Sequence, residues 1–535
     1  MNAMTPIATR RLRATTNHLP LAMAGLLAAC SGEGQMDRRS AETAPAPVAA
    51  PAPVVALAML APESEDRFTE TEANPVKRVG EEPVSTFSAD VDTASYAVVR
   101  RYLREGQLPP EGAVRVEEMI NYFDYDVDGR ATADSPFTAR IAVMPTPWSV
   151  DTKLMSVSIK ALDLDEGRRP PLNLVLLIDV SGSMSGADRL PLIKAGLSDF
   201  VRDLRPEDSI AIVTYAGGVD TVLEPTSGDR KERILSAIGE LVAGGGTAGA
   251  AGMERAYALA RENFERGSVN RVILATDGDF NIGASDPASL EDMVTAERKS
   301  GVYLSVLGVG MGNLNDRMMQ RIAQAGNGNA YYVDTALEGR KVLRDEAAST
   351  LVPVADDVKF QVEFNPARVS EYRLIGYETR MLAREDFNDD RVDAGDVGSG
   401  QTVTAIYEIT PAGHRPQVDP LRYGTKAAQP ATAAPHGDEL AFLRIRYKRP
   451  GAGESRLIER PVTDRDAVTR LGDATDDQRF AAAVAAYGQK LAGSSRLAGM
   501  SWDAIADLAG GARGRDVDGY RAEFVQLVRT ADGLD

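Results

Sequence analysis

Apolar runs and amphipathic stretches alternate in strict order through the middle of the chain. Residues 172–178 form a nearly continuous apolar run (LNLVLLI), and apolar residues at helical spacing follow over residues 190–204. Strands that are apolar on both faces and alternate with amphipathic helices predict an α/β fold, in which helices cover both faces of a parallel sheet. The further predicted strands are residues 210–215, 271–276, 302–307 and 330–333, and the further predicted helices are residues 231–241, 251–264, 290–299 and 317–325.

The sequence on either side of this block alternates apolar and polar residues with a period of two. That period is typical of antiparallel strands with one solvated face. The pattern occurs before the block at residues 152–159, and after it at residues 358–364, 403–409 and 441–447.

Neither set of flanking strands has an obvious way to cover its apolar face alone. Domain insertion succeeds where the ends of the inserted domain lie close together at the surface, and an α/β domain of this kind can satisfy that condition. We therefore predict that Val157 and Ile159 pack in the same β-sandwich as Phe360 and Phe364, with the α/β domain inserted into it. The alternative is three separate domains, in which the early strands lie against the α/β domain.

Helical spacing of apolar residues recurs near both ends of the folded region. Residues 95–105 and 114–123 form a predicted N-terminal pair, and residues 477–491 are the clearest helix of the last hundred residues. The expected divisions are an N-terminal helical and β segment (81–168), the α/β domain (169–349) and a C-terminal domain that is first β-rich and then helical (350–535).

The first 29 residues show the positive and apolar regions of a signal peptide. The apolar stretch, residues 19–29, is too short to span a bilayer and ends in Leu-Ala-Ala directly before Cys30. This ending resembles the lipobox of bacterial lipoproteins, and the resemblance implies that Cys30 is acylated. Residues 30–80, rich in Ala and Pro, are expected to form a disordered tether. An Asp directly after the lipidated cysteine would indicate retention in the inner membrane of Gram-negative bacteria. Ser31 stands at that position, so we expect the anchor to lie on the periplasmic side of the outer membrane.

The net charge, the cysteine content and the lengths of the apolar stretches each exclude one structural or functional feature. The 535 residues carry a formal net charge of −18. A nucleic-acid partner is excluded, since a protein that neutralises phosphates needs a basic face. Cys30 is the single cysteine, so internal disulfides are not expected. No stretch after the signal region approaches eighteen consecutive apolar residues, so no further membrane span is expected.

Three oxygen-bearing side chains follow the first predicted strand at spacings of two. Asp179, Ser181 and Ser183 stand in the sequence Asp-Val-Ser-Gly-Ser. Side chains at these spacings in a tight turn can converge at the carboxyl edge of a sheet, where open α/β folds bind ligands. A carboxylate and two hydroxyls are hard ligands that suit Mg²⁺ or Mn²⁺ and not zinc or copper.

This motif resembles the metal-ion-dependent adhesion site of von Willebrand factor A (VWA) domains, which adds a distant Thr and Asp. Thr247 and Asp277 stand at matching places, after a Gly-Gly-Gly turn and at the end of a strand. The resemblance implies a doubly wound, Rossmann-like domain in which Ser181, Ser183 and Thr247 contact the ion directly, while Asp179 and Asp277 act through bound water. It also implies a sixth coordination position for an Asp or Glu of a protein partner.

Segments outside the α/β block extend the resemblance to bacterial lipoproteins of the YfbK-like type. They are residues 87–96, 108–110 and 117–123 before the block, and residues 372–378 and 385–390 after it. Together these features predict an envelope-anchored, metal-dependent adhesion or scaffold module. One alternative is a structural lipoprotein whose metal site only stabilises loops.

The scarcity of histidine argues against an enzymatic function. Only His18, His414 and His436 occur; the first lies in the signal region and the others in Pro-rich segments, so a Ser-His-Asp hydrolase is not expected. A Mg²⁺-dependent phosphotransferase using Asp179 is the remaining enzymatic alternative, although Ser181 stands where a second carboxylate is wanted. The glycine-rich residues 308–312 lack the spacing of a dinucleotide loop.

Two further acidic clusters could bind calcium through grouped carboxylates. The first is Asp90 with Asp92, and the second spans residues 386–396 with five aspartates. The second does not match an EF-hand, since its Gly and terminal Glu are misplaced. We interpret both clusters as solvated turns.

Overall fold

A computed structural model places the central strands and helices close to their predicted positions. The predicted signal peptide, Cys30 and most of the predicted tether lie outside the residues that it describes. Those residues are 66–127, 129–132, 134–164, 169–278, 287–346, 352–419 and 436–535.

The elements are numbered here along the described part of the chain. The strands are β1 (Lys77–Arg78), β2 (Val84–Ser88), β3 (Phe137–Pro145), β4 (Lys153–Ala161), β5 (Leu172–Asp179), β6 (Ser209–Tyr215), β7 (Val219–Ser227), β8 (Val269–Thr276), β9 (Tyr303–Val309), β10 (Ala330–Val333), β11 (Pro353–Phe364), β12 (Val369–Ile375), β13 (Val397–Gly398), β14 (Thr402–Pro411), β15 (Glu439–Lys448) and β16 (Ser455–Thr463). The helices are α1 (Ala94–Arg104), α2 (Val116–Asn121), α3 (Leu190–Arg202), α4 (Lys231–Glu240), α5 (Gly249–Glu262), α6 (Pro287–Lys299), α7 (Asp316–Ala325), α8 (Ala336–Arg340), α9 (Asp476–Leu491), α10 (Trp502–Gly510) and α11 (Tyr520–Leu534).

The central sheet has six strands in the order β10-β9-β8-β5-β6-β7. Every neighbouring pair is parallel except β6 and β7. All residues of β5 and β8 are buried, as expected for strands covered on both faces. The sequence did not predict β7, because this edge strand is half exposed and contains Pro225, which a strand tolerates only at an edge or a bulge.

The flanking strands form two antiparallel sheets that share one core. One sheet has the order β1-β12-β14-β4-β3, and the other has β13-β11-β15-β16 with β2 paired to β11. The common core contains Val157 and Ile159 from before the central domain, and Phe360 and Phe364 from after it. The predicted insertion of the α/β domain into a β-sandwich is therefore confirmed, and the model of three separate domains is wrong.

The two chain segments that lead into and out of the inserted domain meet at Ser399. The backbone amide of Leu164 donates to Ser399 Oγ at 2.8 Å, and the amide of Ser399 donates to the carbonyl oxygen of Val352 at 2.9 Å. This arrangement meets the geometric condition for an insertion, namely that the ends of the inserted domain lie close together.

A helical layer covers the outer face of the sandwich sheet that contains β4 and β14. Helices α2, α9, α10 and α11 bury Met119, Phe480, Ile505 and Phe524 in a core that also holds Leu154 and Ile406 of that sheet. The last hundred residues thus fold together with α2, which stands more than three hundred positions earlier.

Helix α1 lies between the helical layer and the inserted domain. Its residues Tyr96 and Val99 belong to the core of the helical layer, whereas Ala97 and Val98 belong to a core of the central sheet. On a helix such neighbours point to different faces, so α1 is buried on nearly all sides.

A buried arginine in α1 joins three parts of the fold. The Arg100 guanidinium donates to Glu338 Oε2 at 2.7 Å, to Asp334 Oδ2 at 2.8 Å and to Glu523 Oε2 at 2.9 Å. Glu338 belongs to α8 of the inserted domain and Glu523 to α11 of the helical layer. A buried arginine needs such partners, because an unpaired charge out of water is strongly destabilising.

Candidate metal centre

Two fully buried aspartates lie at the carboxyl ends of adjacent parallel strands. Asp179 is the last residue of β5, and Asp277 directly follows β8; neither is exposed to solvent. The register pairs Ile178 with Ala275, so the two strands end at the same edge of the sheet. Ligand sites of open α/β folds occur at this edge.

Uncharged donors surround the carboxylate of Asp179. The backbone amide of Ser181 donates to Oδ1 at 2.8 Å, while the hydroxyls of Tyr215 and Thr276 donate to Oδ2 at 3.1 and 3.3 Å. Burial raises the pKa of Asp179, hydrogen bonds from Ser181 lower it, and the neighbouring Asp277 raises it. Tyr215 and Thr276 escaped the sequence prediction, because only the pairing of their strands with β5 brings them to Asp179.

The two serines of the motif lie side by side in the turn after β5. Ser181 Oγ and Ser183 Oγ are 2.9 Å apart at the start of a 3₁₀ turn, Gly182–Ser185. Ser181 is buried and Ser183 is half-buried, so the hydroxyl pair lies at the rim of the site. The predicted convergence of these two side chains is present in the structure.

Thr247 lies in a loop that is fastened to the same turn. The amide of Gly244 donates to Val180 O at 2.7 Å, and the amide of Gly182 donates to Gly245 O at 3.1 Å. Gly245 has a φ of +94°, a conformation that favours glycine. Thr247 is half-buried two residues before α5 and follows the bonded Gly245 by two positions.

Arg189 is a site residue that the sequence reasoning missed. Its Nη1 donates to Asp277 Oδ2 and to Ser183 O, both at 2.7 Å, and its Nη2 donates to Met311 O at 2.8 Å. Nothing in the linear pattern marks this residue, which directly precedes α3 and resembles an ordinary surface arginine there. Folding makes it the cationic partner of Asp277.

Two glycines allow the loop of residues 310–315 to approach the site closely. A Cβ at Gly310 would lie 2.3 Å from Arg189 Nε, and a Cβ at Gly278 would lie 2.6 Å from the amide nitrogen of Asn315. Both glycines have positive φ angles, of +73° and +96°. A larger residue at either position would displace the loop or the arginine.

The first described residues are fastened to this same loop. Asp66 Oδ1 accepts hydrogen bonds from the amides of Gly312 at 3.0 Å and Leu314 at 2.8 Å, and the amide of Arg67 donates to Leu314 O at 2.8 Å. Asp66 Oδ2 also pairs with Arg101 of α1 at 3.1 Å. Residues 66–80, which the tether prediction included, therefore belong to the folded body: they are attached here at Asp66 and again at strand β1.

The residues at this edge fit a hard divalent cation. Asp179, Ser181, Ser183, Thr247 and Asp277 offer only carboxylate and hydroxyl oxygens, which Mg²⁺ and Mn²⁺ prefer. Asp277 pairs with the guanidinium of Arg189, whereas the described donors to Asp179 are uncharged, so these three side chains together carry a net negative charge. The predicted ligand set and the identity of the ion stay predictions.

The interpretation of Asp90 and Asp92 as a solvated turn is wrong. Both side chains are buried, and Arg380 pairs with Asp90 Oδ2 at 2.9 Å and with Asp92 Oδ2 at 2.8 Å. Glu118 lies near enough to form a three-carboxylate group with them. The local sequence pattern could not show this burial, because the arginine that pairs with both aspartates comes from a segment almost three hundred residues away.

The second acidic cluster is divided between surface and interior. Asp389 pairs with the exposed Arg391 at 2.7 Å, and Asp390 pairs with Arg446 at 3.0 Å. Asp396 accepts a hydrogen bond from Asn327 at 3.1 Å, and burial raises its pKa well above the usual range. The solvated-turn interpretation therefore fits Asp389 and Asp390, whereas Asp396 is half-buried and accepts a hydrogen bond from Asn327 of the inserted domain.

None of the helices in the described part of the chain combines the length and the apolar character that a membrane-spanning helix needs.

Family models match three consecutive parts of the chain. The model of the von Willebrand factor type A domain matches residues 173–343, which correspond to the inserted domain. A model described as "von Willebrand factor" matches residues 62–156, and one described as "Uncharacterized protein YfbK, C-terminal" matches residues 349–534.

The chain is also similar to several known proteins. The chain is 48% identical over 476 residues to "Uncharacterized protein YfbK" of Escherichia coli (strain K12). The aligned residues cover 88% of this chain and 81% of that protein. It is 28% identical over 321 residues to "Uncharacterized protein sll0103" of Synechocystis, covering 59% of this chain and 70% of that protein. A solved structure titled "von Willebrand factor type A from Catenulispora acidiphila" aligns at 18% identity with a TM-score of 0.41, over 76% of this chain and 91% of that one.

The match to the first of these relatives extends well beyond the inserted domain, into both flanking parts of the chain. The chain therefore belongs to the YfbK family of von Willebrand factor A-domain proteins.

Proposed function

We propose that this protein is an envelope-anchored binding module whose VWA domain captures a partner protein through a divalent cation. VWA domains are commonly protein-interaction or adhesion modules, and the family assignment supports that broader role. The observation that carries the metal-dependent part is the edge formed by Asp179, Asp277 and the paired serine hydroxyls. Buried carboxylates next to rim hydroxyls form a hard-oxygen site on a rigid sheet edge.

The roles of the residues follow from their positions. Ser181 and Ser183 present neighbouring hydroxyl oxygens at the rim, and Thr247 stands on the loop bonded to their turn. Asp179 is oriented by Ser181, Tyr215 and Thr276, which hold its two oxygens in fixed directions. A Mg²⁺ or Mn²⁺ ion bound there would offer an open coordination position to an acidic side chain of a partner.

The anchor is the second part of the proposal. Cys30 would carry the lipid, and the Ala- and Pro-rich segment between Cys30 and Asp66 would hold the folded body away from the bilayer. We place the protein on the periplasmic side of the outer membrane. The proposal assigns no residue of this edge a catalytic role.

The test combines ion binding with partner capture. Purified chain should bind Mg²⁺ in calorimetry, and immobilised chain should retain an envelope protein in Mg²⁺ and release it in EDTA. Asp179→Ala should lose both properties. Asp188→Asn is the matched control, because Asp188 is an exposed carboxylate in the same turn region and should leave both unchanged.

The outcomes separate the alternatives. Ion binding without any cation-dependent capture would support the structural alternative, in which the ion only fastens loops. Turnover of a phosphate ester in Mg²⁺ that is lost in Asp179→Ala would support the phosphotransferase alternative. Absence of Mg²⁺ and Mn²⁺ binding would overturn the metal-dependent function.

A further inference from the structure

Arg189 is the charged side chain that distinguishes Asp277 from Asp179. Its guanidinium reaches Asp277 Oδ2 at 2.7 Å, whereas the donors to Asp179 among the described residues are uncharged. The side chain of Arg189 is only 17% exposed and that of Asp277 is not exposed at all. An ion pair shielded from water in this way is screened far less than one on the surface.

The arginine is held in place from several directions. Besides Asp277, its guanidinium donates to the carbonyl oxygens of Ser183 and Met311. The planar guanidinium can serve these three acceptors at once, which an ammonium group cannot do with the same geometry. Gly310 leaves room for Nε, since any Cβ at that position would overlap it. Arg189 is therefore a fixed part of this edge.

The charges at the edge can be compared with and without Arg189. Asp179 and Asp277 alone would neutralise a divalent cation completely. With Arg189 added, these three described side chains carry one net negative charge together, so they leave one positive charge of a bound divalent ion uncompensated. The carboxylate of a partner then restores neutrality, whereas without Arg189 it would bring an excess negative charge.

We propose that Arg189 is a positioning and charge-setting residue that weakens binding of the ion alone and makes its retention depend on a partner carboxylate. The inference rests on the proposed function and deepens it, because the positive charge left on the ion favours an acidic partner group over a neutral one. Two like charges a few ångströms apart repel appreciably even at the effective dielectric of a protein surface. Removal of the guanidinium charge is expected to tighten Mg²⁺ binding by about tenfold.

The experiment measures Mg²⁺ affinity by titration calorimetry on the full chain, with acetate or chloride as the anion at constant ionic strength. Arg189→Met removes the charge. Arg189→Gln also removes it but keeps donors for the carbonyl oxygens of Ser183 and Met311. Arg189→Lys keeps the charge, and Arg202→Met removes an exposed arginine at the far end of α3.

We expect Arg189→Met and Arg189→Gln to bind Mg²⁺ about tenfold more tightly in chloride, and the lysine variant and Arg202→Met to match the wild type. Acetate should tighten Mg²⁺ binding in the wild type, and this gain should shrink in the two neutral variants. A merely structural role would instead weaken binding in all three Arg189 variants and lower their melting temperatures in EDTA.

Failure of this inference is distinguishable from failure of the proposed function. Equal or weaker Mg²⁺ binding in Arg189→Gln, with wild-type binding intact, overturns the role of Arg189 alone. Absence of Mg²⁺ binding in the wild type overturns both. An acetate effect that is the same in the wild type and both neutral variants also overturns the role of Arg189.

Discussion

Ser158 and Thr404 share a hydrogen bond of 2.9 Å between their hydroxyls, although 246 positions separate them in the chain. They lie directly opposite each other on β4 and β14, so the strands before and after the VWA domain are neighbours in one sheet. The inserted domain cannot be removed from this arrangement without leaving a gap that the sandwich must close. The fold is therefore one host domain interrupted by another.

The Ser158–Thr404 bond predicts thermodynamic coupling across the insertion. Ser158→Ala and Thr404→Val should each destabilise the chain, and the double variant should show a coupling energy of about 0.5–1.5 kcal/mol. Urea unfolding followed by the intrinsic fluorescence of Trp148 and Trp502 measures it. Ser156→Ala is the control, since Ser156 lies on the same strand but pairs with Ile406, and it should be additive with Thr404→Val within about 0.5 kcal/mol. Additivity of Ser158→Ala with Thr404→Val would contradict the shared bond.

The proposed metal centre predicts a cation-dependent melting temperature. In the wild type, Mg²⁺ at a hundredfold excess over its dissociation constant should add about 2.7 kcal/mol of stability, which scanning calorimetry detects. Asp179→Ala should abolish this increment and still fold, while Asp188→Asn should retain it. An equal Mg²⁺ effect in the wild type and in Asp179→Ala would place the ion elsewhere.

The proposed lipid anchor predicts that a substitution at Cys30 changes the cellular fraction in which the protein is found. Cys30→Ser should release the protein from the membrane fraction or leave it unprocessed, because the hydroxyl cannot replace the acylated thiol. Fractionation with immunoblotting measures the distribution. Ser31→Ala is the matched control, and this variant should stay in the membrane fraction. Unchanged membrane association of Cys30→Ser would speak against the lipid anchor.

A buried glutamate predicts a loss of stability with rising pH. Burial raises the pKa of Glu117 to about 8, with Glu378, Asp90 and Glu118 adding to the shift. Glu117 Oε2 has no hydrogen-bond partner among the described residues. Between its unfolded and folded pKa values the native state holds a proton that the unfolded state has released, so this group's contribution falls by up to about 1.4 kcal/mol per pH unit.

Glu117→Gln should therefore gain stability relative to the wild type as pH rises from 6 to 8, with little further gain above the folded pKa. Urea unfolding at several pH values measures the difference. Glu111→Gln is the control, because Glu111 is an exposed carboxylate of the same segment and its pH profile should run parallel to the wild type. A parallel profile for Glu117→Gln would show that Glu117 is ionised in the native state.

The central sheet was accessible from the sequence because burial on both faces leaves a strong local signal. The apolar runs of β5 and β8 and the periodicity of α3 and α7 mark their own positions. The insertion was also accessible, since the strand around Val157 needed a partner for its apolar face. Strand β7 left a weaker signal, because a half-exposed edge strand has no continuous apolar face.

The residues of the candidate site that the sequence did not predict were missed for one physical reason. Asp179, Ser181 and Ser183 are close in sequence and were found together, whereas Tyr215, Thr276 and Arg189 reach the site only through strand pairing and loop packing. The same holds for Asp90 and Asp92, whose burial depends on Arg380. A local pattern reports the residues of one turn and is silent about partners from other elements.

The attachment of Asp66 to the loop of residues 310–315 has a mechanical consequence. Tension along the N-terminal segment would first load the hydrogen bonds from Gly312 and Leu314 to Asp66. The same loop supplies the carbonyl oxygen of Met311 that holds Arg189 against Asp277. A load on the N-terminal segment would therefore reach helix α1 and the rim of the candidate metal site through the same residue, Asp66.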